Sequence, residues 1–307
     1  MVVAVGGNAL APPGEHATIH DQFRHTRESL GSIVALAHAG CRIALTHGNG
    51  PQVGDELLRN ERAADLLPEN PLGVLVAATQ GWIGYMIQQS LQNALERAGV
   101  ARQVATVVTQ VIVDPDAPET TEPRKRIGRR LDDAQAERLR QAGWAVARDP
   151  RGGWRRAVPS PIPLEIVERD LIRDLLARGY VVIAAGGGGA PVYRHPTLGL
   201  EGIDAVVDKD RAAAILARDV GAQELLLLTD IDAVYRDFGT ERAEPIRRLG
   251  VPEAEELLAA GAAGEGSMQP KLEAAVRFIR DGGRRAVIAR LDQGWEALRG
   301  ETGTEIT

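Results

Sequence analysis

Arg42-Ile43-Ala44-Leu45-Thr46-His47-Gly48-Asn49-Gly50-Pro51-Gln52-Val53-Gly54 is the stretch from which the fold is read. Arg42 to Thr46 is a short apolar run with strand character, and His47 to Gly54 is a loop. A helix is expected to follow over about Val53 to Leu67. The same strand, glycine loop and helix recur on either side. Toward the N-terminus, Val2 to Val5 ends at Gly6-Gly7-Asn8. A helix then spans about Gln22 to Ala39, with Leu30, Ile33, Val34 and Ala37 at helical spacing and Gly40 as its stop. Toward the C-terminus, Tyr180 to Ala185 ends at Gly186-Gly187-Gly188-Gly189-Ala190-Pro191-Val192. β-Branched runs that alternate with helices predict a parallel sheet covered by helices on both faces, hence an α/β fold.

The remaining elements continue the alternation. A helix is expected over Leu72 to Arg97, a strand over Gln103 to Val113 and a helix near Pro163 to Arg178. Beyond them come a helix over Asp210 to Val220, a strand over Glu224 to Leu228 ending at Thr229-Asp230, and a helix over Pro252 to Ala260. Another helix starts after Gly266-Ser267, and a last strand covers Ala286 to Ala289. The segment from Asp114 to Ala157 departs from this rhythm. It contains Pro115, Pro118, Pro123 and Pro150, with eight acidic and eleven basic residues, a local charge of +3. It reads as an insert, either a solvated excursion or a lid that presents cations to an anionic substrate.

Composition narrows the function. The chain has 307 residues, of which 36 are Lys or Arg and 42 Asp or Glu, for a net charge of −6. That balance argues against an electrostatic nucleic-acid binder. No apolar run approaches the ~18 residues of a membrane span, no secretory signal is visible, and the single cysteine, Cys41, fits a reducing cytoplasm. Only three of the 36 basic residues are lysines, Lys125, Lys209 and Lys271, which leaves 33 arginines. A lysine is a compact point charge and an arginine a planar fork, so these three mark positions where a fork does not serve.

Ligands of open parallel sheets collect at the carboxyl ends of the strands, where this chain places three glycine loops. Glycine lets backbone N–H groups approach an anion, and a helix N-terminus behind the loop adds partial positive charge. Neither G-x-x-x-x-G-K-[ST] nor G-x-G-x-x-G is present, which disfavours a Walker-type NTPase and a dinucleotide-dependent dehydrogenase. Lys209 and Lys271 each stand at an expected helix start, against the helix dipole. That suggests work outside the helix, such as contact with phosphate oxygens, with a local salt bridge to a neighbouring aspartate as the plainer reading. Asp210 is placed to order the lysines or to help hold Mg²⁺, and Asp230 and Asp232 form a further acidic pair. No arginine lies inside the His47 to Gly54 or Gly186 to Val192 loops, although Arg194 is close, and this suits a very small substrate.

An ordered series of motifs now carries a resemblance that spans nearly the whole chain. It consists of Gly6-Gly7-Asn8-Ala9-Leu10, His47 to Gly54, Gln80-Gly81-Trp82-Ile83-Gly84-Tyr85, Trp154-Arg155-Arg156 with Val158-Pro159-Ser160-Pro161, Gly186 to Val192, Ala205-Val206-Val207-Asp208-Lys209-Asp210, Leu228-Thr229-Asp230, and Gly266-Ser267-Met268 with Pro270-Lys271. In these residues the chain resembles the carbamate kinases of the amino-acid kinase superfamily. The resemblance implies a three-layer α/β/α sandwich around a mainly parallel open sheet, one domain over residues 1–307 with a small protruding subdomain at 114–157. It also implies a cytoplasmic homodimer that transfers phosphate between ATP and carbamate, giving ADP and carbamoyl phosphate, with Mg²⁺. Lys125, Lys209, Lys271 and Asp210 would be catalytic. Gly6, Gly7 and Asn8 would contact the transferring phosphoryl group; Gly48, Asn49, Gly50, Gly187 and Gly188 would hold the carbamoyl end; Thr229, Asp230 and Met268 would serve the nucleotide. Two departures stand out: Arg124-Lys125-Arg126-Ile127-Gly128-Arg129 where the family pattern is Thr-Lys-Pro-Ile-Gly-Pro, and Gln269 where glycine is usual. A kinase of another small carboxylate, and a nucleotide-binding relative that has lost turnover, are the alternatives.

Overall fold

Successive side chains of a strand face opposite sides of its sheet, and the central strands place apolar residues on both. Val2 and Ala4 enter one core while Val3 and Val5 enter another; Leu225 and Leu227 divide from Leu226 and Leu228 in the same way. A sheet that is apolar on both faces needs two covers. The helices Lys209–Asp219 and Met268–Arg280 supply Ala212, Ile215, Leu272 and Phe278 to the first core. Gly31–His38, Leu72–Arg97 and Gly294–Leu298 supply Ile33, Leu36, Ile83, Leu91 and Ala297 to the second. The result is the expected three-layer α/β/α architecture, seen in a computed structural model that describes residues 1–7, 10, 17–150, 152–238, 240, 242–261 and 268–307.

The central sheet has eight strands in the order Arg248–Leu249, Thr304–Ile306, Arg285–Arg290, Glu224–Thr229, Val2–Val5, Ala44–His47, Val181–Ile183, Val104–Thr106. From Arg285–Arg290 to Val104–Thr106 every pairing is parallel, and Thr304–Ile306 runs antiparallel to its Arg285–Arg290 neighbour. The register sets Val5 beside His47 and beside Leu228, so the loops after these strands emerge side by side.

Three elements differ from the sequence expectation. The helix expected over Gln22 to Ala39 is two, Ile19–Glu28 and Gly31–His38. Thr18 caps the first in a reciprocal capping box with Asp21, and Ser29 ends it by donating its hydroxyl to the His25 carbonyl at 2.8 Å. The strand expected over Gln103 to Val113 also divides. Gln80 binds both backbone groups of Thr109, at 3.0 and 3.1 Å, and the chain beyond leaves the central sheet. Gln110–Val113 then joins a second sheet of four strands with Gly199–Gly202, Ala190–His195 and Pro163–Ile166. The last of these replaces the first turns of the helix expected from Pro163, which is confined to Arg169–Ala177.

Within the insert, Pro123–Leu131, Trp154–Pro159 and Val146–Arg148 form an antiparallel three-stranded sheet, with the helix Asp133–Gln141 between its strands. A small core of Val53, Leu57, Leu75, Val76, Ile127, Val158 and Val206 joins it to the main body. There the Pro123–Leu131 strand crosses the Gly50–Arg62 helix backbone to backbone: a Cβ on Gly54 would lie 2.1 Å from the Gly128 Cα, and Gly128 has φ +72°. Arg129 clasps Asp55 with two hydrogen bonds, at 2.7 and 3.0 Å, next to this crossing.

Candidate active site

A cleft of about 1060 Å³ lies at the carboxyl ends of the central strands, with Gly6, Gly7, Asn49, Gly50 and Gly187 in one wall. Gly48 and Gly188 back this wall. A Cβ on Gly48 would approach the Gly7 nitrogen to 2.9 Å, and one on Gly188 the Val207 carbonyl to 2.4 Å. Gly187, Gly188 and Gly189 have φ of +65°, +100° and +84°, a left-handed run in which side chains are strained, and Ala185 before them has φ +51°. Thr46 steadies this turn by donating to the Ala185 carbonyl at 2.8 Å, and Asn49 is oriented by donating to Thr79 at 2.9 Å. Asn8, expected in the same wall, lies outside the described residues.

The opposite side is built on the start of the Lys209–Asp219 helix. Its cap is Asp208, whose Oδ1 accepts the backbone N–H groups of Asp210 and Arg211 at 2.9 and 3.4 Å. The other oxygen, Oδ2, accepts from Lys125 Nζ of the protruding sheet at 2.7 Å. Two residues on, Asp210 takes Lys209 Nζ on Oδ1 at 2.5 Å and Lys271 Nζ on Oδ2 at 3.2 Å. All three lysines of the chain therefore converge on two carboxylates within one helical turn. Both Asp210 oxygens are thus engaged by ammonium groups.

Burial decides the electrostatics. It works to raise the Asp208 carboxyl, but the ammonium groups of Lys125, Lys209 and Lys271 outweigh it and hold this carboxyl well below the usual range. Lys271 is only 3% exposed, and burial pushes its ammonium down, with Lys209 adding to the fall and Asp210 opposing it. His47, in the glycine wall, is pushed down to about 4 by burial. Its Nδ1 lies 3.0 Å from the Gly48 carbonyl, which can only accept, so Nδ1 carries the proton and the ring is neutral near pH 7. That ring is a wedge between loops, packed so closely on Gly186 that a Cβ there would meet Nε2 at 2.4 Å.

Thr229, Asp230 and Met268 line the cleft, together with Tyr235, Phe238 and Arg290, which sequence reasoning did not single out. Their residue types carry no motif signal, and only the strand order brings them together. In the sequence Asp208 was only the aspartate preceding Lys209 at an expected helix start; nothing marked it as the cap or as the partner of a lysine 83 positions away. Arg194 is turned from the cleft and pairs with Glu165 at 3.1 Å. Among the described residues, no group of three His, Cys, Asp or Glu side chains is placed to hold a metal ion.

Comparison with known proteins agrees with this geometry. The model of the amino acid kinase family matches residues 1–290. The chain is 47% identical to a carbamate kinase of Halobacterium salinarum, covering 99% of this chain and 97% of that one. It is 43% identical to a carbamate kinase of Pyrococcus horikoshii, covering 100% and 98%. Among solved structures, carbamate kinase from Giardia lamblia bound to citric acid superposes with a TM-score of 0.94 at 37% identity, covering 99% of this chain and 97% of that chain. The same enzyme bound to AMP-PNP gives 0.90 at 36% identity, with the same coverage. A kinase-like cleft, a family model over most of the sequence and full-length relatives of one activity converge, and the chain belongs to the amino acid kinase family and, within it, to the carbamate kinases.

Proposed function

We propose that the protein catalyses reversible phosphoryl transfer between ATP and carbamate, giving ADP and carbamoyl phosphate, and that its three lysines carry the reaction. The observation behind this assignment of roles is their convergence. In a chain with 33 arginines, each lysine lines the same cleft, paired to Asp208 or Asp210. Carbamate is already an anion, so its oxygen attacks the γ-phosphorus without a base, and the neutral His47 is not needed as one. What the reaction requires is alignment and compensation of charge on the transferring group. Lys209 and Lys271 would exchange Asp210 for phosphoryl oxygens in part, and Lys125 would bring a third cation from the protruding sheet. The amides of Gly6 and Gly7, with Asn8, would hold the phosphoryl group in line. The wall of Gly48, Asn49, Gly50, Gly187 and Gly188 would seat the carbamoyl end. Thr229, Asp230 and Met268 would meet the nucleotide.

Among the described residues no cluster of carboxylates stands ready for Mg²⁺, because Asp208 and Asp210 are engaged by lysines and backbone amides. The ion would arrive with the nucleotide and would supply neutralisation of phosphate charge. The resemblance further implies a homodimer; the single cysteine, Cys41, fits a reducing cytoplasm, and the basic segment 114–157 would act as a lid. ATP formation from ADP and carbamoyl phosphate tests the substrate assignment, with acetyl phosphate and the acyl phosphates of glutamate and aspartate as competitors. Faster turnover of any competitor would replace carbamate as the acceptor.

A further inference from the structure

The helices Lys209–Asp219 and Met268–Arg280 both open into the cleft, and the Asp210–Lys271 contact depends on how far each is advanced along the other. Their buried faces combine small residues, Ala212, Ala213, Ala214 and Ala217 on one helix and Ala274 and Ala275 on the other, with the larger Ile215, Leu216, Leu272, Val276 and Phe278. Apolar burial is non-directional, so it sets the register less sharply than a directional polar link does. A polar link spans the same pair of helices beside the site. Arg211, next to Asp210, donates Nη2 and Nε to Glu273 Oε2 at 2.7 and 3.2 Å. The other oxygen, Glu273 Oε1, accepts from Gln269 one turn earlier at 3.0 Å, and Gln269 stands where the family pattern has glycine. Both carboxylate oxygens of Glu273 are thus engaged, one by its own helix and one by the neighbour. Arg211 itself borders the cleft.

We propose that Arg211 and Glu273, braced by Gln269, form a bracket that sets the register of the two helices and so holds Lys271 on Asp210. They are positioning residues; their catalytic meaning rests on the phosphoryl-transfer reading above. Lys271 is the sensor of the bracket, because its buried ammonium is retained against desolvation with the help of Asp210. Among the described residues, the other charges around it include Lys209 and Asp208 on the facing helix, Lys125 paired to Asp208, Glu273 on its own helix, and Arg126, Asp230, Arg290 and Asp292 lining the same cleft.

The bracket and simple through-space electrostatics predict opposite behaviour. Removing the Arg211 cation raises a nearby lysine's pKa through space, and removing the Glu273 anion lowers it. Loss of the bracket moves Lys271 away from Asp210 and lowers its pKa in both variants. With three lysines in the chain, protein labelled with ¹³C at lysine Cε gives three resonances to titrate, assigned by Lys125→Arg and Lys209→Arg. Arg211→Gln and Glu273→Gln are each expected to move the Lys271 midpoint down by ~0.5 pH unit or more. Both should advance the alkaline fall of kcat by the same amount while KM for ADP changes less than about twofold. The exchanged pair Arg211→Glu/Glu273→Arg should restore the midpoint. Opposite shifts in the two single variants, no shift in either, or no recovery in the exchanged pair would overturn the bracket. The titration needs no substrate, so a wild-type chain that makes no ATP would refute the phosphoryl-transfer reading while leaving the bracket measurable.

Discussion

Lysine and arginine carry the same charge, and this chain separates their uses. Many of its arginines pair with carboxylates at the surface or, like Arg102, fix the backbone by donating to the Gly179, Cys41 and Tyr180 carbonyls, and five, among them Arg126, Arg211 and Arg290, border the cleft. All three of its lysines line that cleft, where under the proposed function a rotatable point charge would follow a moving phosphoryl group. Lys271→Ala should lower kcat roughly 10²-fold or more while the melting temperature falls by only a few degrees, measured by coupled assay and by calorimetry. Lys271→Arg should recover little, since a buried ammonium site has no room for the longer fork. His47 makes the second residue-scale prediction. Its folded pKa of about 4 lies below the ordinary 6.5, so between these values the unfolded chain binds the extra proton. Stability is then unaffected above about pH 6.5 and declines as pH falls toward 4, by up to roughly 3 kcal/mol. Urea unfolding at pH 7 and pH 4.5 should show that slope in the wild type and a weaker one in His47→Asn. At this scale the sequence was informative wherever composition was unusual. The lysines and glycine loops stood out, whereas the dual role of Asp208 depends on a partner brought in by folding.

At the scale of elements, the subdomain meets the main body through a backbone crossing and through ion pairs of Lys125, Arg129 and Arg156 with Asp208, Asp55 and Glu61, and the crossing is expected to outweigh the exposed Arg129 pair. Gly54 and Gly128 meet with no room for a β-carbon on Gly54, so Gly54→Ala should destabilise the chain by about 1–3 kcal/mol and raise the KM for carbamoyl phosphate by displacing Lys125. Arg129→Ala removes a well-formed but half-exposed pair and should cost at most about 1 kcal/mol. Denaturant melts of the two variants side by side would show the order, and a larger loss from Arg129→Ala would mean that charge seats the subdomain. The arginines that replace the family's prolines are thus accommodated differently: Arg129 holds Asp55, and Arg126 borders the cleft. Element boundaries were the least legible feature of the sequence. Nothing in Gln103 to Val113 announces that Gln80, 29 residues before Thr109, will hold the chain there and send it to a second sheet. The division of the first helix was visible only as Thr18 and Ser29, residues equally common in loops.

For the whole molecule, the architecture was legible because it rests on repetition. Strands apolar on both faces require two helical layers, and parallel connections place every strand-to-helix loop at one end. The site follows from that topology, since three of the parallel strands deliver glycine loops, and Glu224–Thr229 and Arg285–Arg290 their own ends, to the same cleft as two helix N-termini. A fold of this kind serves many reactions, so the assignment to carbamate turns on the chemistry of the cleft and on relatives that share the full chain. The direct test is the rate of ATP formation from ADP and carbamoyl phosphate by the wild-type chain and by Lys271→Ala, with folding of both verified. The lysine cleft predicts rapid ATP formation by the wild type and a loss of roughly 10²-fold or more in the variant. Comparable rates in the two proteins, or no ATP from the folded wild type, would contradict it.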